Sequence, residues 1–203
     1  MGATGELADY AKDMRESFQK RTGSFTAEDP WFEARSRAFW DDALVSGFTD
    51  HVPDPEDLTE QARTIAARMK RAHRGFFVVD HEQPSPSKNG APSNVALVDL
   101  WSGAVLLVTP LDEAQAVDLE HAEGPIDARV IGLPSTSSLF VLPGAYHHSA
   151  DALDPATTVL DAARERGLES QVVLDALLRM DLVLRSSSRV KPTFAYRIES
   201  LPR

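Results

Sequence analysis

Apolar residues recur every three or four positions through residues 1–74, the spacing of helices that bury one face. We predict a first helix over residues 6–20, a second that starts near Asp29-Pro30 and a third that starts at Asp54-Pro55. Asp is a preferred N-cap and Pro suits the first helical position. The apolar stripes of the three helices are Leu7, Tyr10, Met14 and Phe18, then Phe32, Arg35, Phe39 and Ala43, and then Leu58, Ala62, Ile65, Met69 and His73.

Between residues 75 and 148 the pattern changes to short apolar runs rich in strand-forming residues. Trp101-Ser102-Gly103 indicates a turn between two of these runs, and Pro134-Ser135-Thr136-Ser137 indicates another. Residues 81–93 carry three Pro and one Gly and are typical of a loop. The predicted strands are 76–79, 94–100, 104–108, 126–133 and 139–142.

The last fifty residues return to the helical period. We predict one helix from Asp154-Pro155 to Gly167, with Asp154 as its cap, and a longer one that ends near Arg185. Apolar and polar residues then alternate over 193–198, which predicts a closing strand.

These elements define an α+β fold, with a small antiparallel β-barrel or curled sheet flanked by N-terminal and C-terminal helices. We divide the chain into an N-terminal helical segment (1–74), the β segment (75–150) and a C-terminal helical hairpin with its closing strand (151–203). A chain of 203 residues has room for the three segments in one compact unit.

One stretch resembles a pattern in uncharacterised bacterial proteins. Phe76-Phe77-Val78-Val79 is followed by residues 95–108, which contain Asp99-Leu100-Trp101-Ser102-Gly103. In those proteins a strand leads to an Asp-Leu-x-x-Gly turn and a second strand inside a small β-barrel. The resemblance covers about a third of the chain and implies a fold without an activity. The preference for Arg over Lys, with many Ala and few Asn, also favours a bacterial origin.

The composition of the chain excludes several kinds of functional site. The absence of cysteine excludes a thiol nucleophile and Cys-ligated metal sites. The chain carries 21 basic and 31 acidic side chains, a net charge of −10. Residues 75–150 hold two basic and nine acidic side chains, a net charge of −7, which disfavours nucleic-acid binding by this segment. We find no secretory signal or membrane span and expect a cytoplasmic protein that does not enter membranes.

Common catalytic and nucleotide-binding motifs are absent, and we predict no cofactor. The most suggestive polar cluster is Tyr146-His147-His148 with Asp151. Imidazoles beside a carboxylate can bind a metal or transfer protons, so His147, His148 and Asp151 are the metal or ligand candidates. Adjacent histidines on an extended chain point to opposite faces, however, which favours a solvated loop here.

Two groups of residues are candidates for binding a protein partner. Trp31 and Trp40 lie on either side of the apolar stripe of the second helix, so that one of them can face solvent. A basic group near the C-terminus can meet an acidic surface. It consists of Arg185, Arg189, Lys191 and Arg197.

We therefore expect a non-enzymatic interaction or adaptor protein that uses the aromatic helical face, the basic C-terminal patch or both. A homodimer through the same aromatic face is equally compatible with the sequence. The first alternative is a metal-dependent or hydrolytic enzyme centred on Tyr146, His147 and His148. The second alternative is a small barrel that binds nucleic acid, which the acidic middle segment disfavours.

Overall fold

The computed structural model describes residues 2–51, 59–81, 94–133, 138–187 and 189–202. Three helices come first, the strands occupy the middle with one helix among them, and helices follow again. The elements are α1 Gly2–Thr22, α2 Phe32–Val45, α3 Glu60–Met69, β1 His73–Asp80, β2 Val95–Asp99, β3 Val105–Val108, α4 Glu113–Glu120, β4 Ile126–Gly132, β5 Leu139–Val141, β6 Tyr146–His147, α5 Leu153–Glu165, α6 Ser170–Arg185 and α7 Pro192–Ala195. Short 3-10 turns span Phe48–Asp50, Ala150–Ala152 and Ile198–Ser200.

The strands form one curled sheet in which β1, β2, β3, β5 and β4 pair in a ring, and β6 adds to β4. Every pairing is antiparallel except the contact between β3 and β5, at Val108 and Leu139. Five strands in a ring cannot all alternate in direction, so one parallel contact is required. The predicted α+β fold with a curled sheet and flanking helices is confirmed.

The turn between β2 and β3 is organised by one buried carboxylate. Asp99 accepts hydrogen bonds from the Trp101 backbone N–H (3.0 Å) and the Ser102 hydroxyl (2.7 Å). Gly103 then adopts a φ of +75°, which a residue with a Cβ rarely takes. This explains why the turn begins with Asp and ends with Gly.

Both faces of the sheet are buried at the middle of β1, where neighbouring residues supply one side chain to each face. Phe77 faces the inside of the ring, where it packs with Leu97 and Ile126, and Leu119 of α4 covers the same cluster. Phe76 faces outwards and packs against α5 and α6. A third cluster holds α1, α2 and α6 together through Phe18, Phe25, Ala38, Phe39, Ala43, Tyr146 and Leu178.

A buried ion pair joins two strands and a helix. The Arg74 guanidinium on β1 donates two hydrogen bonds to Asp127 on β4 (2.9 and 2.7 Å) and one to Asp175 on α6 (2.7 Å). Burial alone would lower the pKa of Arg74, but the carboxylates of Asp127 and Asp175 hold it above its ordinary value. The pair therefore remains charged inside the protein.

The same chain of charges continues into the N-terminal helices. Arg21 on α1 donates to the second oxygen of Asp175 and to Asp42 on α2, both at 2.6 Å. Asp42 also accepts from Arg129 on β4 at 2.5 Å. Three guanidinium groups and three carboxylates thus alternate along a neutral chain, which we call the ion chain. It joins α1, α2 and α6 to β1 and β4.

Four sequence predictions are wrong. Residues 193–198 form α7 and the start of a 3-10 turn instead of a strand, because Pro192 begins a helical turn and β1 already closes the ring by pairing with β4. His73 is the first residue of β1 and does not extend α3. Asp154 lies in the first turn of α5, whose N-cap is Ala152. Asp29 binds the Thr26 backbone N–H and is not the cap of α2.

Two further elements are absent from the sequence predictions, namely α4 and β6. In the described part of the chain α3 begins at Glu60, with Thr59 as its N-cap. The predicted start at Asp54, most of the loop 81–93 and the turn 134–137 lie outside the described residues.

We predict that Asp175→Asn destabilises the protein by about 3 kcal/mol, because it removes a negative charge from between the buried Arg74 guanidinium and the half-exposed Arg21 guanidinium. Urea unfolding measures the change. The control is Asp161→Asn, which breaks only the exposed pair with Arg164 and should cost less than about 0.5 kcal/mol. Equal stability of the two variants would contradict a structural role for the ion chain.

Candidate functional site

The polar cluster at residues 146–148 lies on and just after β6, the shortest strand of the sheet. Tyr146 and His147 pair with Asp127 and Ile126 of β4, and the His148 backbone N–H donates to the carbonyl oxygen of Pro125 (2.9 Å). Because the chain is extended, successive side chains alternate in direction. Tyr146 and His148 are buried, whereas His147 is half-exposed.

The buried face of β6 is a hydrogen-bond network around Asp181 of α6. The Asp181 carboxylate accepts from the Tyr146 hydroxyl (2.6 Å), the Arg185 Nε–H (2.6 Å) and the Tyr196 hydroxyl (3.2 Å). His148 Nδ1 lies 2.7 Å from the Tyr196 oxygen. Although burial alone would raise the pKa of Asp181, hydrogen bonding and charge from His148 and Arg185 hold it well below its ordinary value.

The members of this network have structural roles. Burial, together with the Asp181 charge, raises the pKa of both Tyr146 and Tyr196 far above the ordinary tyrosine value, so both remain neutral donors. His148 Nε2 is buried and has no hydrogen-bond partner among the described residues. Neither tyrosine has the properties of a nucleophile or a proton acceptor near neutral pH.

The other face of β6 opens into a cleft of about 800 Å³ between the start of α2 and α4, which we call the α2–α4 cleft. His147 lies in it, with Nε2 3.4 Å from Asp118 on α4. Burial lowers the pKa of His147, and the positive charges of Arg37 and Arg185 act in the same direction, against Asp118. The cleft is lined further by Pro30, Trp31, Ala34, Leu111, Asp112, Ala114, Gln115, Leu119, Pro143, Ala145, Tyr146, His148 and Ser149.

The three metal or ligand candidates have different surroundings. His147 faces Asp118, His148 faces Tyr196 and Asp181, and Asp151 is exposed in the turn before α5. Within the described ranges, no group of three or more His, Asp or Glu side chains is arranged to hold a metal ion.

The basic C-terminal residues also separate into two groups. Arg185 is bound to Asp181 and donates to the carbonyl oxygen of His147 (2.7 Å), so that it belongs to the wall of the α2–α4 cleft. Arg189, Lys191 and Arg197 are exposed around α7. Between them Phe194 leaves 65% of its surface exposed, the highest value of any large hydrophobic residue in the described ranges.

The three tryptophans also differ in their exposure and surroundings. Trp40 is 44% exposed and packs against Phe39 and Phe48, with ring centroids 4.9 and 5.6 Å apart. Trp31 is half-buried in the α2–α4 cleft. Trp101 packs partly against the cluster of α5 and α6. Of the aromatic helical face predicted from the sequence, Trp40 is therefore the tryptophan that is exposed on the surface of α2.

No protein-family model, curated protein or solved structure matches this chain. Across the described residues, none of the helices is both long enough and apolar enough to span a bilayer.

The contact between α2 and the segment before β6 contains a carboxyl group whose protonation affects stability. The Asp41 carboxylate on α2 accepts the Gly144 backbone N–H (2.8 Å) just before β6, and there is no room for a side chain at Gly144. Burial raises the pKa of Asp41 to about 6. The folded protein therefore binds this proton more tightly than the unfolded chain does, and stability is lost as pH rises from about 4 to 6.

We predict that Asp41→Asn removes this loss, because its amide oxygen still accepts the Gly144 N–H and carries no charge. Above pH 7 the variant should be more stable than the wild type by about 2 kcal/mol, and the difference should shrink towards pH 4. Urea unfolding at a series of pH values tests this. A variant whose stability runs parallel to that of the wild type at every pH would contradict the assignment.

Proposed function

We propose that the protein is a non-enzymatic interaction protein that binds an acidic segment of a partner protein. The contact is the C-terminal surface, which we define as Arg189, Lys191, Phe194, Arg197 and Ile198. The observation that carries the proposal is Phe194, a largely exposed aromatic side chain with three exposed cations within five residues of it in the sequence. Aromatic anchors with charged rims are typical of protein interfaces.

The backbone beneath Phe194 is fixed. The Phe194 backbone N–H donates to the carbonyl oxygen of Lys191 (2.9 Å), and that of Tyr196 donates to Pro192 (2.8 Å). Ala195 and Tyr196 are buried against α6, which leaves Phe194 on the outer side of this single helical turn. The ring of Phe194 is thus presented to solvent by an ordered element. Because α7 is already ordered before a partner binds, binding costs little entropy in this segment.

The positive charge of the C-terminal surface favours an acidic partner. Arg189, Lys191 and Arg197 are exposed, and the only ion pair that the described residues give them is a 4.0 Å contact between Arg197 and Glu199. The chain as a whole has a net charge of −10, so this basic surface stands out against an acidic molecule. An acidic peptide with an apolar side chain complements both features.

The acidic remainder of the molecule also weighs against the nucleic-acid alternative, because a nucleic acid longer than the patch would meet negative charge. The enzyme alternative has weaker support than an interaction role, since Tyr146 and His148 are held in the network around Asp181.

We predict that a short labelled peptide rich in Asp and Glu, with Leu and Trp at its centre, binds the protein in a salt-sensitive manner. Phe194→Ser and Arg197→Glu should each weaken binding about tenfold. Fluorescence anisotropy measures the affinity. Because Phe194 is exposed, its substitution should leave the thermal midpoint unchanged.

Two controls make this test specific. Trp40→Ser alters the aromatic helical face and should leave the affinity unchanged, and a peptide with Lys in place of the acids should not bind. Equal loss of affinity in Phe194→Ser and Trp40→Ser would contradict the proposal. So would a wild-type dimer that Phe194→Ser dissociates in sedimentation experiments, because the surface would then belong to a second copy of the chain.

A further inference from the structure

The helix α7 carries Phe194, and one side chain supplies its polar contacts with the rest of the protein. The backbone hydrogen bonds of residues 191–196 close within that segment. In the described part of the chain, the hydrogen bonds that join residues 191–197 to other elements both involve the Tyr196 hydroxyl. The position of α7 therefore depends on this hydroxyl and on the burial of Ala195 and Tyr196 against α6.

The Tyr196 hydroxyl lies between two buried polar groups. It donates to Asp181 on α6 (3.2 Å), so its oxygen can accept the Nδ1–H of His148, whose Nδ1 lies 2.7 Å away. The side chains of His148 and Asp181 have no exposed surface, and Tyr196 is almost completely buried as well. Groups buried in this way cannot turn to bulk water, so loss of the hydroxyl leaves the His148 N–H without its acceptor and is costly.

Tyr146 provides an internal comparison, because its hydroxyl donates to the same carboxylate, at 2.6 Å. Tyr146 belongs to β6, where it pairs with Asp127 of β4. Its backbone is thus held by the sheet, whereas α7 is a single helical turn outside the sheet. Loss of either hydroxyl weakens the network around Asp181, but only loss of the Tyr196 hydroxyl removes the polar contacts of α7.

We propose that the Tyr196 hydroxyl is the positioning group of the C-terminal surface. While it binds Asp181 and His148, α7 stays docked on α6 and Phe194 is held on the outer side of the turn. When these two hydrogen bonds are lost, α7 undocks as a local unit, and the sheet and α6 remain folded. The inference rests on the proposed function for its effect on binding, whereas the docking of α7 is measured without a partner.

Hydrogen exchange of the Ala195 and Tyr196 backbone amides tests the docking in the full chain. Tyr196→Phe removes the hydroxyl and keeps the ring, so both amides should exchange about tenfold faster than in the wild type. The matched control is Tyr146→Phe, which removes the other tyrosine donor to Asp181 and should change these two rates less than about twofold. Low denaturant concentrations should leave the opening of α7 unchanged, because a local opening exposes little surface.

Binding of the acidic peptide tests the consequence for the C-terminal surface. Tyr196→Ala also removes the apolar anchor of α7, and it should weaken binding about fivefold or more, although Phe194 and the cations of the surface are retained. The matched control is Leu160→Ala on α5, which truncates a buried side chain of the same apolar cluster and should leave the affinity of the folded protein unchanged.

The two measurements separate the possible failures. Equal exchange of the α7 amides in Tyr196→Phe and Tyr146→Phe would overturn the proposal, and so would exchange of these amides through global unfolding alone. Unchanged affinity in Tyr196→Ala would overturn the link between docking and the C-terminal surface. If the wild type does not bind the acidic peptide, the proposed function fails, and the exchange rates alone decide whether the Tyr196 hydroxyl docks α7.

Discussion

The structure depends on the burial of full charges within a continuous chain of ion pairs. Arg74 between Asp127 and Asp175 lies at its centre and is almost completely buried. Such charges are tolerated because they are paired: Arg74 donates to both Asp127 and Asp175, and Arg21 donates to both Asp175 and Asp42. An alternative packing of the N-terminal helices would leave at least one charge buried without a partner. The ion chain therefore specifies where α1, α2 and α6 lie on the sheet.

This arrangement also determines where the two candidate sites lie. The network around Asp181 uses the Tyr146 hydroxyl on the buried side of β6, whereas His147 and the start of α2 contribute to the α2–α4 cleft. Arg185 joins the two regions, since it binds Asp181 and the His147 carbonyl oxygen. The C-terminal surface lies beyond α6, where α7 is anchored by Tyr196. Both candidate sites consist mainly of side chains that neither the ion chain nor the network around Asp181 uses.

Strongly periodic elements could be predicted from the sequence. The helix that ends near Arg185 and the hairpin of β2 and β3 have local patterns that tertiary contacts reinforce. The ion chain could not be predicted, because Arg74 lies 53 and 101 positions from its two partners. Arg35 did offer a signal, since a cation within an apolar stripe needs buried acceptors, which the carbonyl oxygens of Thr22, Gly23 and Leu178 supply.

Two other errors have local causes. The apolar residues of α4 form no clear stripe, although its start resembles a capping box: Asp112 accepts the Gln115 backbone N–H, and the Gln115 side chain accepts the Leu111 backbone N–H. Residues 193–198 alternate apolar and polar side chains as a strand does, whereas Pro192 begins a helical turn that leaves Phe194 exposed.

The most direct test of this account is native-state hydrogen exchange across a series of denaturant concentrations. If the ion chain joins the helices to the sheet, the slowest amides of α1 and β4 share one free energy of opening and converge on the global unfolding transition. If α1 opens at a much lower free energy than β4, the N-terminal helix is a separate unit and the ion chain does not hold the structure together.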